Sequence, residues 1–450
     1  MRDKLQFMLA ICIASVIFVP QVRGETVVFV NVNVVPMTSE VVQSQKTVVV
    51  TDGKIVSISN VDTTPIPKDI LVIDGTDRFL MPGLSEMHGH IPGVGSESLE
   101  RILHLYIANG ITLMRGMLGQ SSHLQLRQDI LDGKVLGPRL VTSGPSFNGR
   151  SVQSPSQARQ MVNAQFTAGY DFLKIHPGLT REEFDAVAGT ARSLGMPFAG
   201  HVPADVGIER ALAAGIATID HLDGYMQSLL PAHEDPSGGF EGFFGLLLAG
   251  QVEEEKIAPV VELTRLANTW NVPTQSLFVH VVSETSASDM SARPEMRYMP
   301  VETVRQWAAS KNRVTSDSEY SVGIAIRAIE VRQIIIKALQ TSGAGILLGS
   351  DSPQIFNVPG YSIHRELQYL VDAGLSPYEA LLTGTVNPAR FFDRSDISGT
   401  VEVGRDADLV LLNANPLADI SAARRVHGVV LRGRWLSRIE LDGMLEALER

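Results

Sequence analysis

Between about residues 81 and 392 the chain repeats one pattern: a short apolar run that ends in polar residues. GLSEMHGH, GITLMRG, PRLVTSG, DFLKIH, PFAGH, ATIDH, VPTQSLFVH and GILLGSD follow one another in that order. Longer stretches of helical period separate several of them, among them TREEFDAVAGTARSLG and SPYEALLTGTVNPARFF. Short apolar runs alternating with helical periods predict parallel strands joined by crossover helices. Eight such units predict an α/β fold of the (β/α)8 TIM-barrel type, in which the C-terminal ends of all strands face one opening. The two ends of the chain are patterned differently. TVVFVNVNVV and KTVVVTDGKIVSIS near the start, and GTVEVGRDADLVLLN and VHGVVLRGRWL near the end, are rich in β-branched residues. Asp52-Gly53 between two such runs is a hairpin signal. Residues 25–80 and 393–450 are therefore expected to form a small β-sandwich-like domain from both chain ends, flanking a barrel of residues 81–392. Stretches at about 225–262 and 281–330 are longer than connections require and predict helical insertions over the barrel opening. The first carries the apolar patch GFFGLLLAG. It is expected to cover the site and favour a substrate with an apolar or aromatic group, the alternative being a contact between two copies of the chain.

Composition changes this picture in three ways. Hydrophobic residues make up 44% and charged residues 19% of the 450 positions, as in a folded globular protein. The formal net charge is -11, which excludes a phosphate backbone as the natural partner. Residues 1–24 combine the basic start MRDK, the apolar centre FMLAICIASVIFV and a short ending VRG. That centre is too short for a bilayer span, which needs about 20 residues, and the pattern predicts a secretory signal peptide. Its removal takes away Arg2, Lys4, Arg23 and Asp3, leaving a charge of -13. The single cysteine, Cys12, lies inside it, so the remaining chain has no disulfide or thiol chemistry. The expectation is a secreted protein of a bacterial periplasm, free of the membrane after cleavage. It acts on a small molecule, and a homo-oligomer is left open.

The strand ends carry the candidate chemistry. In a strand, side chains two apart share a face, so His88 and His90 of MHGH stand side by side. Lys174 ends YDFLK, His201 follows MPFAG, His221 follows IATID and Asp351 follows GILLGS. In a barrel these ends converge, and imidazole and carboxylate groups in one place suit divalent metals. An ammonium among metal ligands would repel the cation. A desolvated lysine has a lowered pKa and a nucleophilic amine, so Lys174 can take up carbon dioxide as an anionic carbamate. The other reading of Lys174 is an interior lysine paired with Asp351 or another carboxylate.

These residues in this order resemble the amidohydrolase superfamily. Within it, the chain is similar to the imidazolonepropionase-like and Xaa-Pro dipeptidase-like binuclear hydrolases. MPGLSEMHGH, YDFLKIH, GHV at 200–202, IDHLDG, LLGSDSP, IHRELQYLVDAGLSPYEALLTGTVNPAR and GTVEVGRDADLVLLNANP carry the likeness, from about Val28 to Gly433. The resemblance implies two divalent ions, Zn²⁺ first, with Mn²⁺, Co²⁺ or Fe²⁺ able to substitute. It places His88, His90 and Asp351 on the more buried ion and His201 and His221 on the more exposed one. Carboxylated Lys174 and a hydroxide then bridge the two. It implies cleavage of a C–N amide bond in a dipeptide, N-acyl amino acid or cyclic amide, with Asp351 relaying the proton. Lactone or ester hydrolysis, deamination and a non-catalytic periplasmic binding protein are the rival readings. Deaminating relatives usually use one metal and lack the bridging lysine, which Lys174 opposes.

Other residues carry weaker signals. Relatives with RD at the second strand end differ from Arg115-Gly116 here, and GPSFNGR stands where dipeptidase-like relatives have a Gly-rich, His-containing segment. Arg150 is a candidate for a substrate carboxylate, or else a surface arginine. Tyr225, just past His221, is a candidate oxyanion donor, or else a packed aromatic. His176 shares the face of Lys174 if that strand continues, and His280 is expected to end the seventh strand. Both are candidates for substrate contact.

Overall fold

The computed structural model describes residues 26–61, 70–231 and 241–449. The expected signal segment and the middle of the first insertion lie outside the described residues. β1 (Thr26–Val34), β2 (Gln43–Thr51), β3 (Lys54–Asn60), β4 (Leu71–Asp74) and β5 (Phe79–Pro82) come first in the chain. They share one eight-stranded sheet with β13 (Leu409–Leu412), β14 (Val426–Leu431) and β15 (Arg434–Ser437). The order is β15-β14-β13-β5-β1-β2-β3, with β4 parallel to β1. Strands from both chain ends thus hydrogen-bond into a single sheet, as their shared β-branched patterning leads one to expect. Asp52 and Gly53 turn between β2 and β3 with φ of 51° and 74°, the left-handed values a two-residue hairpin of this hand requires. Val27, Phe29, Val48, Leu409, Leu411 and Trp435 form this sheet's own apolar core.

β5 passes through Gly83 directly into β6 (Leu84–Gly89). A Cβ at Gly83 would sit 2.3 Å from the Thr112 side chain, so nothing larger fits at this junction. β6, β7 (Ile111–Gly116) and β8 (Arg139–Thr142) pair in parallel. So do β9 (Leu173–Ile175), β10 (Phe198–Gly200), β11 (Thr218–Asp220) and β12 (Trp270–Val272). A parallel bridge from Ser143 to Phe172 links the two groups. The eighth apolar run is extended. It bridges β12 through Asn271↔Ile346 and β6 through Gly89↔Ser352, both in parallel. Its backbone bonds both neighbours: Leu347 N to Asn271 O at 2.8 Å, Met87 N to Leu348 O at 2.8 Å, and Asp351 N to His88 O at 2.7 Å.

The seventh run departs from expectation. Its strand ends at Val272, and Gln275–Val282 is a helix. The physical reason is visible in QSLFVHVV: Leu277, Phe278, Val281 and Val282 repeat at helical spacing and are all buried. Pro273 and the left-handed Thr274 (φ 46°) turn the chain into it. His280 therefore lies inside a helix and not at a strand end. The second insertion is helical, with helices Ala287–Ser291, Val301–Thr315 and Val322–Ser342. The last of these buries Ala325, Ala328, Val331, Arg332, Ile335, Ile336 and Leu339 along one stripe. Among the described residues, no helix is long and apolar enough to cross a membrane.

Candidate metal centre

β6 delivers the first two imidazoles. Met87 turns away from them to pack on Val272 and Leu347. Gly89 lies in a place where a Cβ would meet Met114 Cε at 2.5 Å and the Tyr106 hydroxyl at 2.8 Å. Any side chain between the two histidines would have to displace the ends of Met114 and Tyr106. The His88 and His90 rings stand 5.6 Å apart. His221 lies 4.5 Å from His88, His201 lies 4.7 Å from His221, and His176 lies 5.0 Å from His201, all between ring centroids. The Asp351 carboxylate reaches into this array. Its Oδ1 is 2.6 Å from His90 Nε2 and 3.5 Å from His88 Nε2, and its Oδ2 is 3.8 Å from His221 Nδ1. Ligand atoms of His88, His221 and Asp351 all lie within 4.8 Å of one another, and all three residues are buried.

The side chains around these groups fix their orientation. Asp223 Oδ2 is 3.0 Å from His201 Nδ1 and accepts from Val202 N at 3.2 Å. Thr274 Oγ1 is 2.8 Å from His221 Nδ1. Asp220 Oδ2 is 3.0 Å from His88 Nδ1, and Asp220 is held in turn by Thr218 Oγ1 at 2.7 Å and Arg115 at 3.3 Å. Such carboxylates and hydroxyls behind ligating imidazoles are the usual means of setting ring orientation. Burial, together with neighbouring cationic groups, drives the pKa of His88 and His221 well below the usual histidine range. Both are therefore neutral, the form that binds metal. Glu86, fully buried two residues before His88, accepts His88 N at 3.0 Å, Ser350 N at 2.8 Å and Ser350 Oγ at 2.5 Å. It ties the His88 strand end to that of Asp351.

Lys174 is the centre of β9, is fully buried, and its Nζ has no hydrogen-bond partner. The nearest carboxylate oxygen, Asp220 Oδ2, is 3.6 Å away. Burial lowers the pKa of this amine, against the pull of Asp220 and Asp351. A buried ammonium that makes no hydrogen bond and whose nearest charge partner stands 3.6 Å away is costly, whereas a carbamate between two cations would satisfy the same position. This orphaned nitrogen, ringed by neutral imidazoles and a carboxylate, fits a two-metal site.

Several of these residues occupy strained backbone. His221 (φ 64°), Leu222 (φ 54°), Thr274 (φ 46°) and Asp351 (φ 60°) are non-glycine residues in the left-handed region, which is uncommon for residues with a side chain. Arg332, on the insertion helix Val322–Ser342, is 1% exposed and holds this backbone. It donates to His221 O at 2.7 Å, Pro273 O at 2.8 Å and Gln275 Oε1 at 2.7 Å.

The weaker sequence candidates fall elsewhere. The Tyr225 hydroxyl donates to Asn271 Oδ1 at 2.9 Å and lies 2.9 Å from Thr264 Oγ1, fully buried. Its one proton is spent in the core, so it is no free oxyanion donor. His280 Nε2 accepts from Arg293 at 2.9 Å under the second insertion, as its helical position dictates. Arg150 is an exposed turn residue. His176 lies one residue beyond β9, beside His201, and burial draws its pKa down to about 2. Asp220, Asp223, Thr274, Glu86 and Arg332 went unmarked in the sequence, and Arg115 was marked only as a departure from RD-bearing relatives. Only the spacing of Glu86 from His88 and the adjacency of Asp220 to His221 hinted at them.

The Amidohydrolase family profile matches residues 79–436. Solved structures share the fold at low identity. A protein of Bifidobacterium longum proposed to be a prolidase is 22% identical, with a TM-score of 0.70 over 95% of this chain and 99% of its own. A Xaa-Pro dipeptidase with bound methionine in the active site is 20% identical, TM-score 0.65, over 92% and 100%. A bottromycin amidohydrolase is 21% identical, TM-score 0.71, over 94% and 90%. No curated protein sequence matches the chain. With most of its length matched, the chain belongs to the amidohydrolase family and is a hydrolase acting on carbon–nitrogen bonds.

Proposed function

We propose that the protein is a two-metal amidohydrolase that cleaves an amide bond of a small molecule, and that its eight parallel segments close into a (β/α)8 barrel. The observation that carries this reading is Lys174, a buried amine without a hydrogen-bond partner whose charge bears on His88 and His221 and is in turn drawn by Asp351. His88, His90 and Asp351 would hold one ion, His201 and His221 the other, and Lys174 as a carbamate both. Divalent ions there would supply a hydroxide at neutral pH and draw electron density from the scissile carbonyl. Asp351, within reach of three of the imidazoles, takes the proton from the attacking water and returns it to the leaving amine. Asp220, Asp223 and Thr274 hold the rings of His88, His201 and His221 in place while this happens. A carboxylic acid and an amine are released. The pattern of residues 1–24 supports a periplasmic location for this chemistry.

The test is metal analysis and turnover together. Protein reconstituted with Zn²⁺ and bicarbonate should hold close to two ions per chain. It should also hydrolyse at least one class among N-acyl amino acids, Xaa-Pro dipeptides and cyclic amides. One ion per chain would overturn the binuclear reading, and turnover of lactones alone would overturn the amide reading.

A further inference from the structure

One aromatic side chain sits directly on the site. Phe244 stacks on the His221 imidazole at 4.7 Å and 17°, and on His201 at 6.1 Å and 24°. It comes from the first insertion, far in sequence from any strand end, and lies over the two histidines assigned to the more exposed ion. Its position is built. Phe244 (φ 49°, ψ 48°) and Gly245 (φ 75°) both take left-handed backbone. For a bulky residue this is unfavourable, and it persists only where surroundings hold it. Here they do. A Cβ on Gly245 would meet Met226 Cβ at 2.7 Å, so the turn is pressed against the core. Leu247 N bonds Glu241 O at 3.0 Å. Phe243 packs edge-on against Phe244 at 4.5 Å and stacks at 6.3 Å on Phe278, which in turn carries the Arg332 guanidinium at 4.3 Å. The ring is thus placed by a chain of aromatic contacts anchored in the same arginine that grips the His221 carbonyl.

We propose that Phe244 is a specificity-determining residue. It forms the aromatic wall of a subsite that takes a flat apolar group, such as an aryl ring, on the acyl side of the substrate. The proposal rests on the amide-hydrolase reading above and extends it. The ring lies against the faces of the His201 and His221 imidazoles, and the half-buried Phe243, Leu247 and Leu248 beside it offer further apolar surface.

The test compares N-benzoylglycine with N-acetylglycine. The ratio of their kcat/KM values should fall about tenfold in Phe244→Leu, mostly through KM, since an aromatic pair contributes roughly that factor. Phe244→Gly, whose backbone suits a φ of 49°, should lose the preference as well, and covers the case in which the leucine variant fails to fold. Phe244→Tyr should retain it. A ratio within twofold of the parent in both Leu and Gly variants overturns the proposal. Calorimetric binding of benzamide to metal-loaded protein separates the two layers of inference. If the parent hydrolyses neither amide, nor any Xaa-Pro dipeptide or cyclic amide, the amide reading fails. Weaker benzamide binding in Phe244→Leu would still support the wall, and equal binding would refute it.

Discussion

Replacing Arg332 with methionine removes a guanidinium and keeps a chain of similar reach. In the native protein that guanidinium makes bonds of 2.7, 2.8 and 2.7 Å to His221 O, Pro273 O and Gln275 Oε1. All three acceptors lie in the interior, where water cannot replace the donor. A buried acceptor left without its partner costs about 1–3 kcal/mol. Three such groups, less some relief from relaxation, place the loss at about 3–6 kcal/mol. That is a large part of the 5–15 kcal/mol typical of folded proteins. The loss concentrates on backbone already strained at His221 and Thr274, so the metal site should loosen before the rest. Urea unfolding followed by circular dichroism measures the first effect and zinc retention after dialysis the second. Arg332→Lys, with one donor group in place of a planar fork, should fall between. If Arg332→Met unfolds within 1 kcal/mol of the parent and keeps its zinc, the assigned role is wrong.

Three further outcomes follow from the same geometry. Tyr225→Phe should cost about 1–2 kcal/mol in a urea titration by stranding Asn271 Oδ1, with kcat within twofold of the parent; a hundredfold drop in kcat would restore the oxyanion role. Lys174→Ala should lose nearly all turnover and bind fewer than two ions while keeping its circular dichroism spectrum, and a short carboxylic acid should partly restore activity. Activity above a few per cent of the parent without added acid would remove Lys174 from the bridge. Burial pushes Glu366 up to about 7, against the opposing hydrogen bonds from Ser276 N and Gln275 N. The native state therefore holds a proton that the unfolded chain, titrating near 4.5, has already lost, and stability falls as pH rises from about 4.5 to about 7. This group's contribution is on the order of 3 kcal/mol between pH 5 and pH 8. Glu366→Gln should remove that decline, and an unchanged pH slope in paired urea titrations would assign it to another group.

The six residues His88, His90, Lys174, His201, His221 and Asp351 stood out in the sequence because each lies at the end of a short apolar run, and the fold brings ligand atoms of His88, His221 and Asp351 within 4.8 Å of one another. What holds them was much less visible. Arg332 looks like any cation on an amphipathic helix until its carbonyl partners, 111 and 59 residues earlier, come into contact with it. Phe244 reads as one more apolar residue in GFFGLLLAG, because a left-handed phenylalanine leaves no mark in a hydrophobicity pattern. His280 was misplaced because VPTQSLFVH reads as one apolar run, and the helical recurrence of Leu277, Phe278, Val281 and Val282 begins only past its first half. Tyr225 illustrates the opposite error, in which nearness in sequence to a ligand was taken for nearness of its hydroxyl. The pairing of the two chain ends was foreseeable from their shared β-branched composition, but its single-sheet order depends on register that composition does not encode.

The junction at Gly83 has a consequence for synthesis. β5, one residue ahead of the strand that carries His88 and His90, has β13 as a neighbour, with Pro82 opposite Leu409 and Phe79 opposite Leu412. A ribosome adding about 5–20 residues per second needs roughly 15–65 s to travel from one to the other. For that interval β5 is an open edge, with a row of unpaired backbone groups that invites pairing with other chains. A product truncated before Leu409 keeps every proposed metal ligand and still lacks the strand that closes this edge. Such fragments should collect as insoluble material instead of a smaller working enzyme, and the last-made strands act as the latch on the first-made half of the site.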